Sequence, residues 1–284
     1  MEIIVGKTAG FCFGVANAVN KSKEELEKQK NIYCLGELVH NKEVTKELEE
    51  EGLKFVDNIE EARQNVIIRA HGEKESTYEK AKELNLNIID LTCPKVIKIH
   101  DIASKYAKSG YYILLIGQKE HPETVGTISY CGNNADIIEK EEDIENALIK
   151  FKNSKINNLL IISQTTFSME KFEDICKIIK SKLSEEYNIE IKNTICNATK
   201  LRQEETSKIA EIVDLMIIIG GRHSSNTNKL YNIAISKCKN SLLIEKKDEL
   251  DLNNLKKYNK IGIMAGASTP QKSIDEVVDL LVRI

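Results

Sequence analysis

Residues 92–117 read TCPKVIKIHDIASKYAKSGYYILLIG, and this stretch decides the fold. Cys93 opens it. A helical pattern follows, with Ile99, Ile102, Ala103 and Tyr106 forming one apolar stripe. The run YYILLIG then reads as a short strand buried on both faces, ending at Gly117. From Cys93 to Gly117 is 24 residues. The same interval separates Cys12 from Gly36 through NIYCLG, and Cys196 from Gly220 through LMIIIG. Three equal intervals from three cysteines mark an internal repeat.

The repeat continues beyond these strands. A second strand ends at polar residues in NVIIRAHG, LLIISQTT and IGIMAGAST. Cys93 to Thr165 and Cys196 to Ser268 are both 72 residues; Cys12 to His71 is 59, a shortening of 13. Each such strand is followed by a helical segment, with Ser168 and Thr269 read as N-caps and Pro270 as a first helical residue. A third strand leads to the next cysteine in NIIDLTC and IEIKNTIC. The last copy lacks one, but EIIVGKTAGFC at the start of the chain supplies its equivalent. Counted around that closure, Cys196 to Cys12 is 100 residues, against 103 from Cys93 to Cys196 and 81 from Cys12 to Cys93. The expectation is an α/β protein of three small units related by a pseudo-threefold axis. Their bounds are 13–93, 94–195 and 196–284, with residues 1–12 completing the sheet of the third.

Composition narrows the function. Of 284 residues, 41% are hydrophobic and 30% charged, the balance of a globular protein. A net charge of −3 gives no basic footprint for nucleic acid or membrane. No apolar run approaches the ~20 residues needed to cross a bilayer. The opening MEIIVGKTAG lacks the basic start and long apolar stretch of a signal peptide. A cytoplasmic protein with reduced thiols is expected.

The seven cysteines are odd in number and contain no CxxC pair, which argues against a disulfide framework. Cys34 falls in a core strand, Cys131 in a strand, Cys176 in a helix and Cys238 at a lysine-flanked helix end. Cys12, Cys93 and Cys196 are repeat equivalents, each ending a strand before a helix. A thiol at a helix N-terminus is readily a thiolate. Three thiolates around one axis can hold zinc or a cubane iron–sulfur cluster. Zinc would usually want a fourth ligand or an open water. A cubane on three cysteines leaves one iron able to act as a Lewis acid toward a substrate oxygen.

Ligands in open α/β sheets sit at the carboxyl ends of the strands. Here those ends carry His40 in ELVHN, His121 and Glu123 in QKEHPE, and His223, Ser224, Ser225 and Asn226 in GRHSSN. The second set of strands adds His71, Thr165, Thr166, Ser268 and Thr269. Histidines, hydroxyls and helix starts together suit an anion, most simply phosphate. His100 lies in a helical pattern and reads as structural. His223 is one place out of register with His40 and His121. Two motifs fail: GKT at Gly6–Thr8 lacks the glycine five residues earlier, where Met1 stands, and GGRHSSN is not GxGxxG.

The ordered set AGFCFGV, ELVHN, RAHG, TCP, GQKEHPETVGT, SQTT, TICNAT, GGRHSSNT and AGASTP resembles the LytB/IspH family, over nearly the whole chain. That family reduces 4-hydroxy-3-methylbut-2-enyl diphosphate to isopentenyl and dimethylallyl diphosphates in the last step of the non-mevalonate (MEP/DOXP) isoprenoid pathway. The resemblance implies a central [4Fe–4S] cluster on Cys12, Cys93 and Cys196, with its fourth iron facing substrate. It implies Glu123 as proton donor, Thr165 as the hydroxyl that orients substrate and relays the proton, and His121 in the same network. His40, His71, Ser224, Asn226 and Ser268 would hold the diphosphate, with Ser225 close by. It implies a one-electron donor such as ferredoxin or flavodoxin. Three competing readings are a redox-free hydro-lyase on an open-iron cubane, a non-enzymatic iron–sulfur sensor of a phosphorylated metabolite, and a zinc hydrolase using the histidines.

Overall fold

A computed structural model describes residues 1–283. The chain opens with strand β1 (Glu2–Val5) and helix α1 (Phe13–Lys28). It continues through β2 (Ile32–Leu35), α2 (Lys42–Glu50), β3 (Lys54–Val56), β4 (Asn65–Ile68), α3 (Glu75–Glu83) and β5 (Asn87–Asp90). After α4 (Pro94–Lys108) come β6 (Tyr112–Ile116), α5 (Pro122–Ser129), β7 (Ala135–Ile138), α6 (Glu142–Asn153), β8 (Asn158–Ser163), α7 (Met169–Lys182) and β9 (Asn188–Ile191). Helix α8 (Asn197–Ala210) leads to β10 (Leu215–Ile219), α9 (Ser225–Lys237), β11 (Ser241–Ile244), α10 (Leu252–Leu255), β12 (Lys260–Ala265) and α11 (Gln271–Val282).

The strands form three four-stranded sheets, ordered β3-β2-β4-β5, β7-β6-β8-β9 and β11-β10-β12-β1. Every pairing is parallel. The three orders are the same, with β1 standing where β5 and β9 stand. By contacts the chain divides into two compact units. One comprises Met1–Asn20, Val39–Glu51 and Asn197–Ile284, and contains the sheet with β1; the other comprises Lys21–Leu38 and Gly52–Cys196, and contains the other two sheets.

The buried strand runs follow from cover on both faces. In β6, Tyr112, Leu114 and Ile116 pack with Ile144 and Phe151 of α6 and Phe172 of α7, while Ile113 and Leu115 pack with Ile99 and Ala103 of α4. In β10, Leu215, Ile217 and Ile219 meet Ile274 and Val277 of α11, while Met216 and Ile218 meet Ile209 of α8 and Leu230 of α9. Each such side chain contributes about 2 kcal/mol by leaving water.

The glycine that closes each leading strand has a local cause in two copies. A Cβ on Gly117 would lie 2.7 Å from Thr124 Oγ1, and one on Gly220 2.6 Å from Thr227 Oγ1. Both threonines are buried seven residues on, in α5 and α9, so the glycine lets the following helix close on the strand end.

Three local readings change. The matched 72-residue intervals do not mark equivalent positions. Ile116 pairs with Ser163 and Ile219 with Ala265, so Thr165 corresponds to Ala267, and Ser268 to Thr166. One residue of difference between the copies produced the coincidence. Thr269 is not an N-cap: Pro270 takes that place, and the Thr269 hydroxyl donates to the Ile219 carbonyl (3.0 Å). Cys131 lies in the turn after α5, where its thiol donates to Thr127 O (3.4 Å), because α5 ends too late to leave room for a strand.

His100 of α4 is structural. It is 6% exposed and stacks on Tyr130 at 4.2 Å between ring centroids. Burial pushes its pKa down from 6.5 to about 4, against the pull of Asp101 and Asp90. The unfolded chain therefore binds a proton that the native chain refuses between these values. Its stabilising contribution is present above pH 6.5 and is lost as pH falls toward 4. Between pH 7 and 5 the loss is about 2 kcal/mol. Urea midpoints should show this acid sensitivity in the wild type and a flatter profile in His100→Phe.

Candidate active site

Cys12, Cys93 and Cys196 each stand one residue before a helix: α1, α4 and α8. Each backbone N–H donates to the residue two places beyond a strand: Cys12 to Ala267 O after β12 (3.1 Å), Cys93 to Ala70 O after β4 (3.0 Å), and Cys196 to Thr165 O after β8 (2.9 Å). The same hydrogen bond thus sets all three cysteines in equivalent places. They are partly exposed, whereas Cys34, Cys131, Cys176 and Cys238 are buried. Burial pushes the Cys34 and Cys131 thiols up to about 12 and Cys176 to about 11, the wrong direction for a thiolate. None of the helices after the three exposed cysteines has an acid in its first turn. Their positive ends are left for anionic sulfur. This donor set fits an iron–sulfur group.

Glu123 and Thr165 form a buried polar pair. Pro122 starts α5, and His121 caps it, its Nδ1 accepting from Glu123 N (3.1 Å). Accepting at Nδ1 leaves a neutral imidazole with its proton on Nε2. The Glu123 side chain turns back on the β8 end, where Thr165 N donates to Oε1 (2.5 Å) and Thr165 Oγ1 to Oε2 (2.6 Å). Glu123 is 2% exposed. The Thr165 backbone is therefore pinned on both sides, by Glu123 at its N–H and by Cys196 at its carbonyl. His71 lies edge-on to His121, with ring centroids 5.4 Å apart.

The other unit has a polar group of its own. Ser224 caps α9, its Oγ accepting from Thr227 N (3.3 Å). Ser225 and Asn226 follow, both buried. Neither Nδ2 nor Oδ1 of Asn226 has a hydrogen-bond partner among the described residues. A buried amide in that state costs free energy until something supplies partners. Ser268 Oγ donates to His40 O (2.9 Å), and His223 meets His40 edge-on at 5.6 Å. His223 itself is exposed. Thr166 is engaged by Gln164 Nε2 (2.8 Å).

Several supporting residues escaped the sequence reading. Gln164, 1% exposed, accepts from Gln118 N (3.0 Å) while holding Thr166, so it braces the loops that carry His121 and Thr165. Its only signal was a polar residue in SQTT at a strand end. Glu205 of α8 accepts from the Lys7 and Thr8 N–H groups (both 2.8 Å) and from the Thr8 hydroxyl (2.5 Å). Burial works against that carboxylate, but the Thr8 and Lys7 bonds hold it below its usual range. Buried Arg202 donates to Thr8 O (2.8 Å) and Gly10 O (2.9 Å). The GKT segment thus wraps a carboxylate and shapes the approach to Cys12.

Set beside known proteins, the chain matches the family model described as LytB protein over residues 3–282. The chain belongs to the LytB family. Among curated LytB relatives, the 4-hydroxy-3-methylbut-2-enyl diphosphate reductase of Clostridioides difficile (strain 630) is 46% identical, covering 99% of each chain. The protein of the same name from Caldanaerobacter subterraneus is 42% identical over 98% of this chain and 96% of its own length. A solved Plasmodium falciparum structure, the E-1-hydroxy-2-methyl-but-2-enyl-4-diphosphate reductase, superposes with a TM-score of 0.90 at 33% identity, covering 99% of this chain and 88% of that one. A second solved structure, described as the terminal enzyme of the non-mevalonate pathway, gives 0.73 at 37% identity with full coverage of both chains.

Proposed function

We propose that this LytB chain is an iron–sulfur oxidoreductase that reduces 4-hydroxy-3-methylbut-2-enyl diphosphate to isopentenyl and dimethylallyl diphosphates, the last step of the non-mevalonate route. The observation that carries the mechanism is the buried Glu123 carboxyl doubly bonded to Thr165, whose carbonyl in turn holds the Cys196 N–H. It sets a proton-bearing pair beside one of the three candidate ligands.

In this reading Cys12, Cys93 and Cys196 hold a [4Fe–4S] cluster, one cysteine standing at each junction of the three units 13–93, 94–195 and 196–284 with 1–12. When bound, such a cluster supplies single electrons and one iron with no protein thiolate, a Lewis acid for an oxygen. The chain's own residues do the rest. Ser224, Ser225, Asn226, Ser268, His40 and His71 bind the diphosphate, and that binding energy orients the allylic carbon. Asn226 finds there the partners it lacks in the protein. Glu123, when protonated, passes its proton to Thr165 Oγ1 and so to the departing hydroxyl. His121 presents Nε2–H to the same space. Two electrons and two protons enter, and the hydroxyl leaves as water. A ferredoxin or flavodoxin in the cytoplasm is the electron source in this scheme. Among the described residues no helix is long and apolar enough to cross a membrane.

The test is anaerobic turnover of the iron- and sulfide-loaded protein with and without a reduced viologen. Product should form only with reductant. Turnover without reductant would identify a hydro-lyase instead. Zinc without sulfide in the active protein would identify a metallohydrolase.

A further inference from the structure

Lys229 lies one helical turn beyond Ser225 in α9 and donates from Nζ to Ser225 Oγ at 2.9 Å. An i, i+4 pair on one helix face brings such side chains together. The chemistry of the pair is asymmetric: an ammonium has three donors and no acceptor, so the serine oxygen can only accept from it. That fixes the hydroxyl's role. One lone pair faces Nζ, so the O–H is not directed at the lysine. Ser225 is 7% exposed, its neighbour Asn226 has unpartnered amide atoms, and α9 carries no acid in its first turn. A donor hydroxyl, an open amide and a helix start are what a diphosphate oxygen would meet.

We infer that Lys229 is a positioning residue for the diphosphate site: it holds the Ser225 hydroxyl as a polarised donor toward the anion. This rests on the reading above that Ser225 contacts diphosphate. The lysine acts through the serine, which separates its role from that of a surface charge drawing in an anion.

A double-mutant cycle tests it, with inorganic diphosphate as the probe and calorimetric Kd of the full-length protein as the readout. Ser225→Ala should weaken binding about tenfold. Lys229→Met should weaken it roughly three- to tenfold. The double variant should be no weaker than Ser225→Ala alone. Lys229→Arg, which keeps a charged donor, should recover binding to within about threefold. Thermal unfolding checks that each variant folds, and Lys229→Ala is a second truncation if Lys229→Met does not. In turnover, Lys229→Met should raise KM by more than it lowers kcat. Unchanged Kd in the lysine variants, with Ser225→Ala impaired, overturns the inference and leaves the site intact. A loss that adds to that of Ser225→Ala also overturns it, since the lysine would then act on the anion directly. No effect from Ser225→Ala removes the serine from the site, and the inference with it.

Discussion

Glu123→Gln is expected to lower turnover about 10²–10⁴-fold, the usual contribution of a positioned general acid. The substitution keeps the size of the side chain and removes the transferable proton. The amide oxygen can still accept from Thr165 N, but the amide nitrogen now faces Thr165 Oγ1, where a carboxylate oxygen had accepted. The threonine hydroxyl must then turn, and the proton path is cut at both members. Because the amide oxygen keeps the Thr165 N–H bond, the Thr165 carbonyl stays on the Cys196 N–H, and iron and acid-labile sulfide should match the wild type. Single-turnover rates of the reduced protein, measured beside the iron count, give the answer. Near-normal rates would take the proton-donor role away from Glu123.

Cys→Ser at each of the seven cysteines should divide them three to four. Cys12, Cys93 and Cys196 should lose the cluster and, with it, turnover. Cys34, Cys131, Cys176 and Cys238 should retain both. The separation follows from environment: the first three are partly exposed at helix starts, and the other four are buried. Of these, Cys34, Cys131 and Cys176 have thiol pKa values raised by burial. The buried changes should instead act on stability, by about 1–3 kcal/mol where a hydroxyl is left in an apolar place such as that of Cys34. Anaerobic purification with iron and sulfide analysis decides it. Full cluster content in any of the first three variants would break the assignment.

The sheets were legible because their strands are buried on both faces and therefore written as unbroken apolar runs. The common interval from cysteine to glycine was legible because a threonine seven residues on requires that glycine in two of the three copies. Less local features were not. The Thr165–Ser268 equivalence failed since counting along the chain cannot register strands; only the pairings of Ile116 with Ser163 and Ile219 with Ala265 do so. Thr269 looked like a cap because a hydroxyl stands before a helical run, yet its partner is Ile219, 50 residues away. Glu205 and Arg202 went unnoticed, since along the chain they are two charges among many in a helical run. Their partners at Thr8 and Gly10 lie nearly 200 residues earlier.

The pairing of Glu2 with Lys260, and of β1 with β12 throughout, joins a strand to one made far later in the chain. On the ribosome, β1 emerges long before β12 and has no sheet neighbour until that strand has followed it. Cys12, whose N–H rests on Ala267, is held in its place only then. A nascent chain stalled before β12 would therefore carry an unanchored thiol at Cys12, and in the proposed reading its cluster site waits for that strand.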